Sequence, residues 1–238
     1  MANDPARDLS RWQLNTFVEC PRCFWLLKRH HIKPPEGYPL ALNLAMDHLL
    51  KAEFDAYRRR GESHPVFVHA GIAVRLFRDV ERLSVWRNNF QGLRWTDPQT
   101  GWTLYGAVDD VVEFPDGSLA VLDYKSSGAR EAALYPSYQL QMDVYTFLLQ
   151  RLGYATAPQA FFAFFLAVKD DGFGGRLPFR SQLLTMTPQP ERVPALFAQA
   201  IAVAQSPRLP NPGAECKLCA WFSQANPILH AEPAAALA

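Results

Sequence analysis

Cys20-Pro-Arg-Cys23 and Cys216-Lys-Leu-Cys219 stand near opposite ends of a 238-residue chain and are the only cysteines it has. Scattered core cysteines rarely fall as two C-x-x-C pairs, and thiols paired in this way are a strong signal for a four-thiolate metal site. A centre bound by all four would close a very long loop, where a staple gains most against the entropy of the open chain. Sulfur ligands in a tetrahedron suit zinc or an iron–sulfur centre, and the spacing alone does not choose. A thioredoxin-like use of C-P-R-C is weaker, because its flanks look helical with no preceding strand; its mark would be a reversible Cys20–Cys23 disulfide.

The rest of the chain has to supply a fold in which those ends meet. With 49% apolar residues it can bury a proper core, as one domain or one domain with an appendage. A net charge of +1 advertises no polyanion partner, so any such surface must be local. MANDPARDLSR has no apolar segment of a secretory signal, and AFFAFFLAV (160–168) is too short to span a bilayer. The expectation is a soluble, cytoplasmic protein with no membrane partner and no structural disulfides.

A helical pattern runs from Ser10 through SRWQLNTFVECPRCFWLLKRH, with Trp12, Phe17, Phe24 and Leu27 as core candidates. LALNLAMDHLLKAEFDAYRRRG predicts an amphipathic helix ended by Gly61, with Leu42, Ala45, Met46, Leu49, Leu50 and Phe54 along one side. Residues 65–100 carry mixed signals. WTLYGAVDDVVEF and SLAVLDYKSS flank the turn signal PDG (115–117) and predict a β-hairpin. SYQLQMDVYTFLLQRLG predicts a helix stopped by Gly153, AFFAFFLAVK a strand buried on both faces, and SQLLTMTP an outer strand. ERVPALFAQAIAVAQS predicts a last helix, PRLPNPGAECKLCAWF a loop and AEPAAALA a frayed tail. This order describes an α/β fold, a sheet with helices on its faces.

Within the hairpin, VLDYKSS places Asp123 and Lys125 two residues apart, hence on one strand face. Asp109 lies seven residues before Asp116 and Asp123 seven after it, so symmetry about the turn makes the two acids cross-strand neighbours. Adjacent carboxylates repel, and one takes up a proton unless a cation sits between them. Mg²⁺ or Mn²⁺ would answer this with oxygen ligands and bound water, and Lys125 could hold that water or stabilise developing phosphate charge. A surface ion pair is the plainer reading of D-x-K by itself. In the following helix Gln141 and Tyr145 are four apart and share a face.

Taken together, G-x-x-D (Gly106–Asp109), D-Y-K (Asp123–Lys125) and Q-x-x-x-Y (Gln141–Tyr145) resemble the PD-(D/E)xK nuclease superfamily. The resemblance is closest to its RecB-like branch, which includes the iron–sulfur exonucleases of CRISPR adaptation and the AddB nuclease. It implies one restriction-endonuclease-like domain over residues 10–222, with a mixed central sheet and disordered tails at 1–9 and 229–238. It further implies a metal-dependent DNA nuclease, an exonuclease ahead of an endonuclease, serving repair, recombination or defence. Asp109 and Asp123 would be metal ligands, the Tyr124 carbonyl a third, Lys125 the catalytic lysine, and Gln141 and Tyr145 the residues that orient the lysine and the DNA. The family's early helix carries G-x-x-x-H-x-x-L-E; here NLAMDHLLK has Asn43 for the glycine and Asp47 for the histidine, with His48 one residue late. Asp47 is the preferred ligand. The branch clips an early cysteine to three late ones around a [4Fe–4S] cluster, which favours the cluster over zinc even though this chain divides its cysteines two and two.

Other stretches are less specific. LLKRHHIK (26–33) and YRRRG (57–61) could follow a phosphate backbone, and Trp86 and Phe90 of WRNNF could stack an unpaired base, although solvated charge and core packing are the commoner uses. DGFGGR (171–176) lacks G-K-[ST], so a helicase partner would be a separate chain. A nuclease fold that has lost catalysis and serves as a DNA-binding or partner subunit is the alternative function.

Overall fold

The structure, a computed structural model, describes residues 7–35, 41–170, 172 and 174–229. The expected disorder at 1–6 and 230–238, and part of the DGFGGR stretch, lie outside the described residues. In chain order the elements are β1 (Asp8–Ser10), α1 (Arg11–Glu19), α2 (Pro21–His30), α3 (Ala41–Arg60), α4 (Pro65–His69), β2 (Arg75–Leu76), α5 (Val80–Arg87), β3 (Leu93–Thr96) and β4 (Thr103–Gly106). They continue as β5 (Asp110–Glu113), β6 (Leu119–Ser127), α6 (Pro136–Arg151), β7 (Ala160–Ala167), β8 (Phe179–Met186), α7 (Val193–Gln205) and α8 (Lys217–Leu229). The fold is mixed α/β, as the sequence reading has it. Where that reading draws a single domain from residue 10, the described residues form two compact units, 7–11 with 41–194, and 12–35 with 195–229. Asp8–Ser10, of which the first two residues are assigned above to a tail and Ser10 to a helix, is a strand paired in parallel with β4.

The first unit holds both sheets, a three-stranded one ordered β1-β4-β3 and a five-stranded one ordered β2-β5-β6-β7-β8. In the larger sheet β6 and β7 are parallel and the other pairs antiparallel. The parallel pair needs a crossover, and α6 supplies it. β7 is apolar along its whole length and buried on both faces, whereas β8 at the edge is mostly half-exposed. The segment expected as one long hairpin strand is broken in two. Residues 107–109 leave the small sheet at Gly106 and enter the large one at Asp110. One face of the large sheet presents Val112, Ala120, Leu122, Tyr124, Phe161, Ala163 and Phe165 to Leu50 and Phe54 of α3 and Val66 and Phe67 of α4.

In α3 the buried positions are Leu50, Phe54 and Arg58, a four-residue spacing. Leu42 and Leu49, assigned above to the apolar side, are exposed. Arg58, read from the sequence as a possible phosphate contact, lies in the core and is paired with Asp110 and Asp55. Trp86 is likewise buried, stacked on Phe77 with ring centroids 5.0 Å apart, so it is not free to stack a base; Phe90 is exposed.

In the second unit the helix expected from Ser10 is two helices. Pro21 brings no amide hydrogen and sets the first turn of α2, while Cys20 is extended (φ −157°) and caps that turn through its Sγ. Trp12, expected in the core, is half-exposed, whereas Phe17, Phe24 and Leu27 are buried. The stretch after Cys216, expected as loop, is the helix α8; its start was hidden by the Pro- and Gly-rich residues just before it.

Asp110 is fully buried and accepts hydrogen bonds from Arg58, Arg87 and Tyr124. Removing its charge leaves two guanidinium groups under-compensated in low dielectric. Asp110→Asn should therefore cost about 3 kcal/mol of folding free energy, read as a lower denaturation midpoint; a loss below about 0.5 kcal/mol would show that the network is not holding β5.

Candidate active site and thiol cluster

The register of β5 and β6 sets Asp110 opposite Leu122 and Val111 opposite Val121. One step further, position 109 stands opposite 123. Asp109 lies at the bend just before β5, and its Oδ2 accepts the amide N–H of Tyr124 at 3.1 Å. Asp123 and Lys125 share the same face of β6, with Lys125 Nζ 2.5 Å from Asp123 Oδ2. Tyr124 points to the other face, where its hydroxyl donates to Asp110. Any part it takes beside Asp109 and Asp123 is therefore through its main chain.

α6 covers the Asp123 face. Gln141 is buried and its Nε2 donates to Asp123 Oδ1. Tyr145, one turn on, is buried over Gly106, where a Cβ would lie 2.6 Å from Tyr145 Cε1 and 3.2 Å from Arg11 Cβ. Gly106 thus gives the ring its place. Burial raises the Tyr145 phenol above its ordinary range despite the opposing Arg11 charge, so it remains protonated. Lys125 Nζ also lies 4.9 Å from the Tyr138 ring centroid and 5.6 Å from that of Phe162, within reach of both aromatic faces.

Two helices bring residues that sequence reasoning passed over. Lys51 of α3 lies 2.8 Å from Asp47 Oδ2 and 3.5 Å from Asp109 Oδ1. It ties Asp47 to the acidic pair. The i,i+4 spacing of Asp47 and Lys51 was the signal in the sequence. His48 is exposed. Arg87 of α5 donates to the Asp109 carbonyl at 2.6 Å, which fixes the bend that presents the Asp109 side chain.

Asp123 is nearly inaccessible to solvent, and burial together with the neighbouring Asp109 charge raises its carboxyl to about 7, against the opposing pull of Lys125. Its Oδ2 is ion-paired with Lys125. Two adjacent acids, one of them buried and answered by a single lysine, are a donor set that fits a hard divalent cation. Asp109, Asp123 and the Tyr124 main chain are the residues positioned to hold one.

In the second unit Cys20, Cys23, Cys216 and Cys219 converge, with all four sulfurs within 4.8 Å of one another. Burial would raise the Cys20 thiol, but N–H groups of Gly213 and Cys23 and the neighbouring thiols lower it to about 7. Burial raises Cys23 strongly and Cys219 to about 11. The cluster is a site that could hold a metal.

Residues 8–224 match the family model of the PD-(D/E)XK nuclease superfamily. The chain belongs to that superfamily. Its members generally use divalent metals. None of the curated proteins matches. Among solved structures the chain is similar to one described as "Crystal structure of SSO0001", with a TM-score of 0.46 and 15% identity over 94% of this chain and 87% of that one. Among the described residues no helix is long and apolar enough to cross a membrane.

In the metal-free protein Asp123 should titrate near pH 7, and Asp109→Asn should bring that titration down by removing the adjacent charge, as followed by carboxyl-carbon NMR. The folded state holds this proton more tightly than the unfolded chain does. The associated stability is complete below the ordinary carboxyl range of about 4 and is lost as pH rises through about 7. Titration of Asp123 near 4 would show that the two acids do not share one field.

Proposed function

We propose that this chain is a Mg²⁺- or Mn²⁺-dependent deoxyribonuclease that hydrolyses phosphodiester bonds with water as nucleophile. The observation that carries the reading is the close set of Asp109, Asp123 and Lys125 across β5 and β6, with Asp123 under-compensated by the charges around it. Asp109, Asp123 and the Tyr124 carbonyl would hold the cation. Bound there, a divalent ion supplies Lewis-acid polarisation of a phosphoryl oxygen and a more acidic water. Lys125 stabilises charge developing on the phosphate and orients the water. Gln141 fixes the Asp123 carboxylate, and Tyr145 packed over Gly106 sets the position of α6. Asp47, held to Asp109 through Lys51, is the third acidic candidate and lies outside the tight pair. DNA is the substrate class that this superfamily suggests, with exonucleolytic action ahead of endonucleolytic and with repair, recombination or defence as the setting.

The test is cleavage of end-labelled single- and double-stranded DNA with each metal. Asp123→Ala or Lys125→Ala should reduce the rate at least ~10²-fold with the circular dichroism spectrum unchanged. Asp109→Asn and Asp123→Asn should give similar losses that do not add in the double variant, as expected of groups acting as a unit. Cleavage by the variants at the wild-type rate would place the chemistry elsewhere. DNA binding without metal-dependent cleavage by the wild type would leave the reading of a nuclease fold that has become a binding subunit.

A further inference from the structure

The thiol cluster has dimensions that discriminate between the centres able to occupy it. Around a single zinc ion each thiolate sits at about 2.3 Å, which sets the edge of the sulfur tetrahedron at about 3.8 Å. The sulfurs of Cys20 and Cys219 are 3.7 Å apart, those of Cys23 and Cys216 3.7 Å, and those of Cys23 and Cys219 3.6 Å. A [4Fe–4S] cluster gives each thiolate its own iron at a corner of a cube, so its cysteine sulfurs stand roughly 6 Å apart. Sulfurs at the shorter spacing leave no room for four irons and four sulfides between them. A two-iron centre fails as well. It needs two thiolates on each iron and a long gap between the pairs, and the three short edges cross every way of dividing these four cysteines into two pairs.

The surroundings are built to the same scale. Cys20 precedes α2 and Cys216 precedes α8, so each C-x-x-C pair wraps the first turn of a helix, whose N-terminal dipole favours thiolate charge. Cys20 Sγ accepts N–H groups from Cys23 at 3.5 Å and Gly213 at 3.2 Å. The loop before Cys216 reaches that bond only because residue 213 is glycine; a Cβ there would lie 2.0 Å from the Glu19 carbonyl oxygen. Opening the tetrahedron to cluster size would pull this loop and its hydrogen bond away from Cys20.

We propose that Cys20, Cys23, Cys216 and Cys219 hold one zinc ion, in place of the four-iron cluster that the RecB-like resemblance favours. The thiols give up their protons to solvent on binding, and with sulfur in all four ligand positions no position stays open to a substrate, so the centre is structural. The assignment does not depend on the nuclease reading, and its measurements do not use cleavage.

Full-length protein produced with both iron and zinc supplied, and purified anaerobically so that no cluster is lost to oxygen, should be colourless. It should contain about one zinc per chain and no acid-labile sulfide. Zinc-edge X-ray absorption should show four sulfur neighbours at about 2.3 Å. Exchange of the zinc for cobalt(II) should give the intense visible bands of a tetrahedral tetrathiolate. Cys216→Ser should lower both zinc content and Tm; if that variant fails to fold, the wild-type absorption measurement decides alone. A brown protein with several irons and matching sulfide per chain would overturn the proposal. So would a single iron without sulfide, or no metal bound by thiolate.

Discussion

Asp110 pairs with Leu122 across β5 and β6, and that register distributes the charges of the first unit between the two faces of its sheet. Because side chains alternate along a strand, Asp110 and Tyr124 fall on the face covered by α3, while Asp123 and Lys125 fall on the face covered by α6. A slip of one residue would exchange them. It would bury Lys125 against Phe54 and deliver Asp110 to the open acid pair. The Asp110 network with Arg58, Arg87 and Tyr124 holds the register from one side, and the Tyr124 N–H to Asp109 holds it from the other.

The two faces treat a buried acid in opposite ways. Asp110 has two arginines and a phenol, so its charge is answered within the fold. Asp123 has one lysine and one amide against the adjacent Asp109, and its carboxyl is raised. A fold selected only for stability would spread its cations more evenly. The imbalance leaves a local deficit of positive charge that suits a cation, and such shifted groups cluster at functional sites.

Much of this was legible in the chain. The symmetry of Asp109 and Asp123 about the PDG turn matches the observed register, because a tight turn fixes which residues face each other. D-x-K on one strand face follows from the pleat alone. The partition of arginines was not legible. Arg58 sits in RRR, where composition suggests a solvated helix end, yet it continues the buried spacing of Leu50 and Phe54. Only knowledge that Asp110 lies beneath α3 explains why a charge can occupy that stripe. The break at residues 107–109 was hidden for a related reason: GAVDDVV has strand character throughout, and what divides it is the pull of two different sheets. Lys51 was passed over because its partners Asp47 and Asp109 lie far apart in sequence.

The second unit poses the converse problem. Its helices come from two stretches separated by most of the chain, and while Phe17, Phe24, Leu27 and Phe197 are buried, Trp221 and Phe222 of α8 remain exposed. A centre ligated by two residues from each stretch lowers the entropy of exactly the separation that the chain has to overcome. The size of that centre then matters for more than its identity. A single ion holds the first turns of α2 and α8 at one fixed spacing and, being redox-silent, does so whatever the oxidation state of its surroundings. An iron–sulfur cluster in the same role would make the joining of the two stretches sensitive to oxygen. The short sulfur–sulfur edges, the glycine that lets the loop approach Cys20 and the matched placement of both C-x-x-C pairs at helix starts all belong to the first kind of staple.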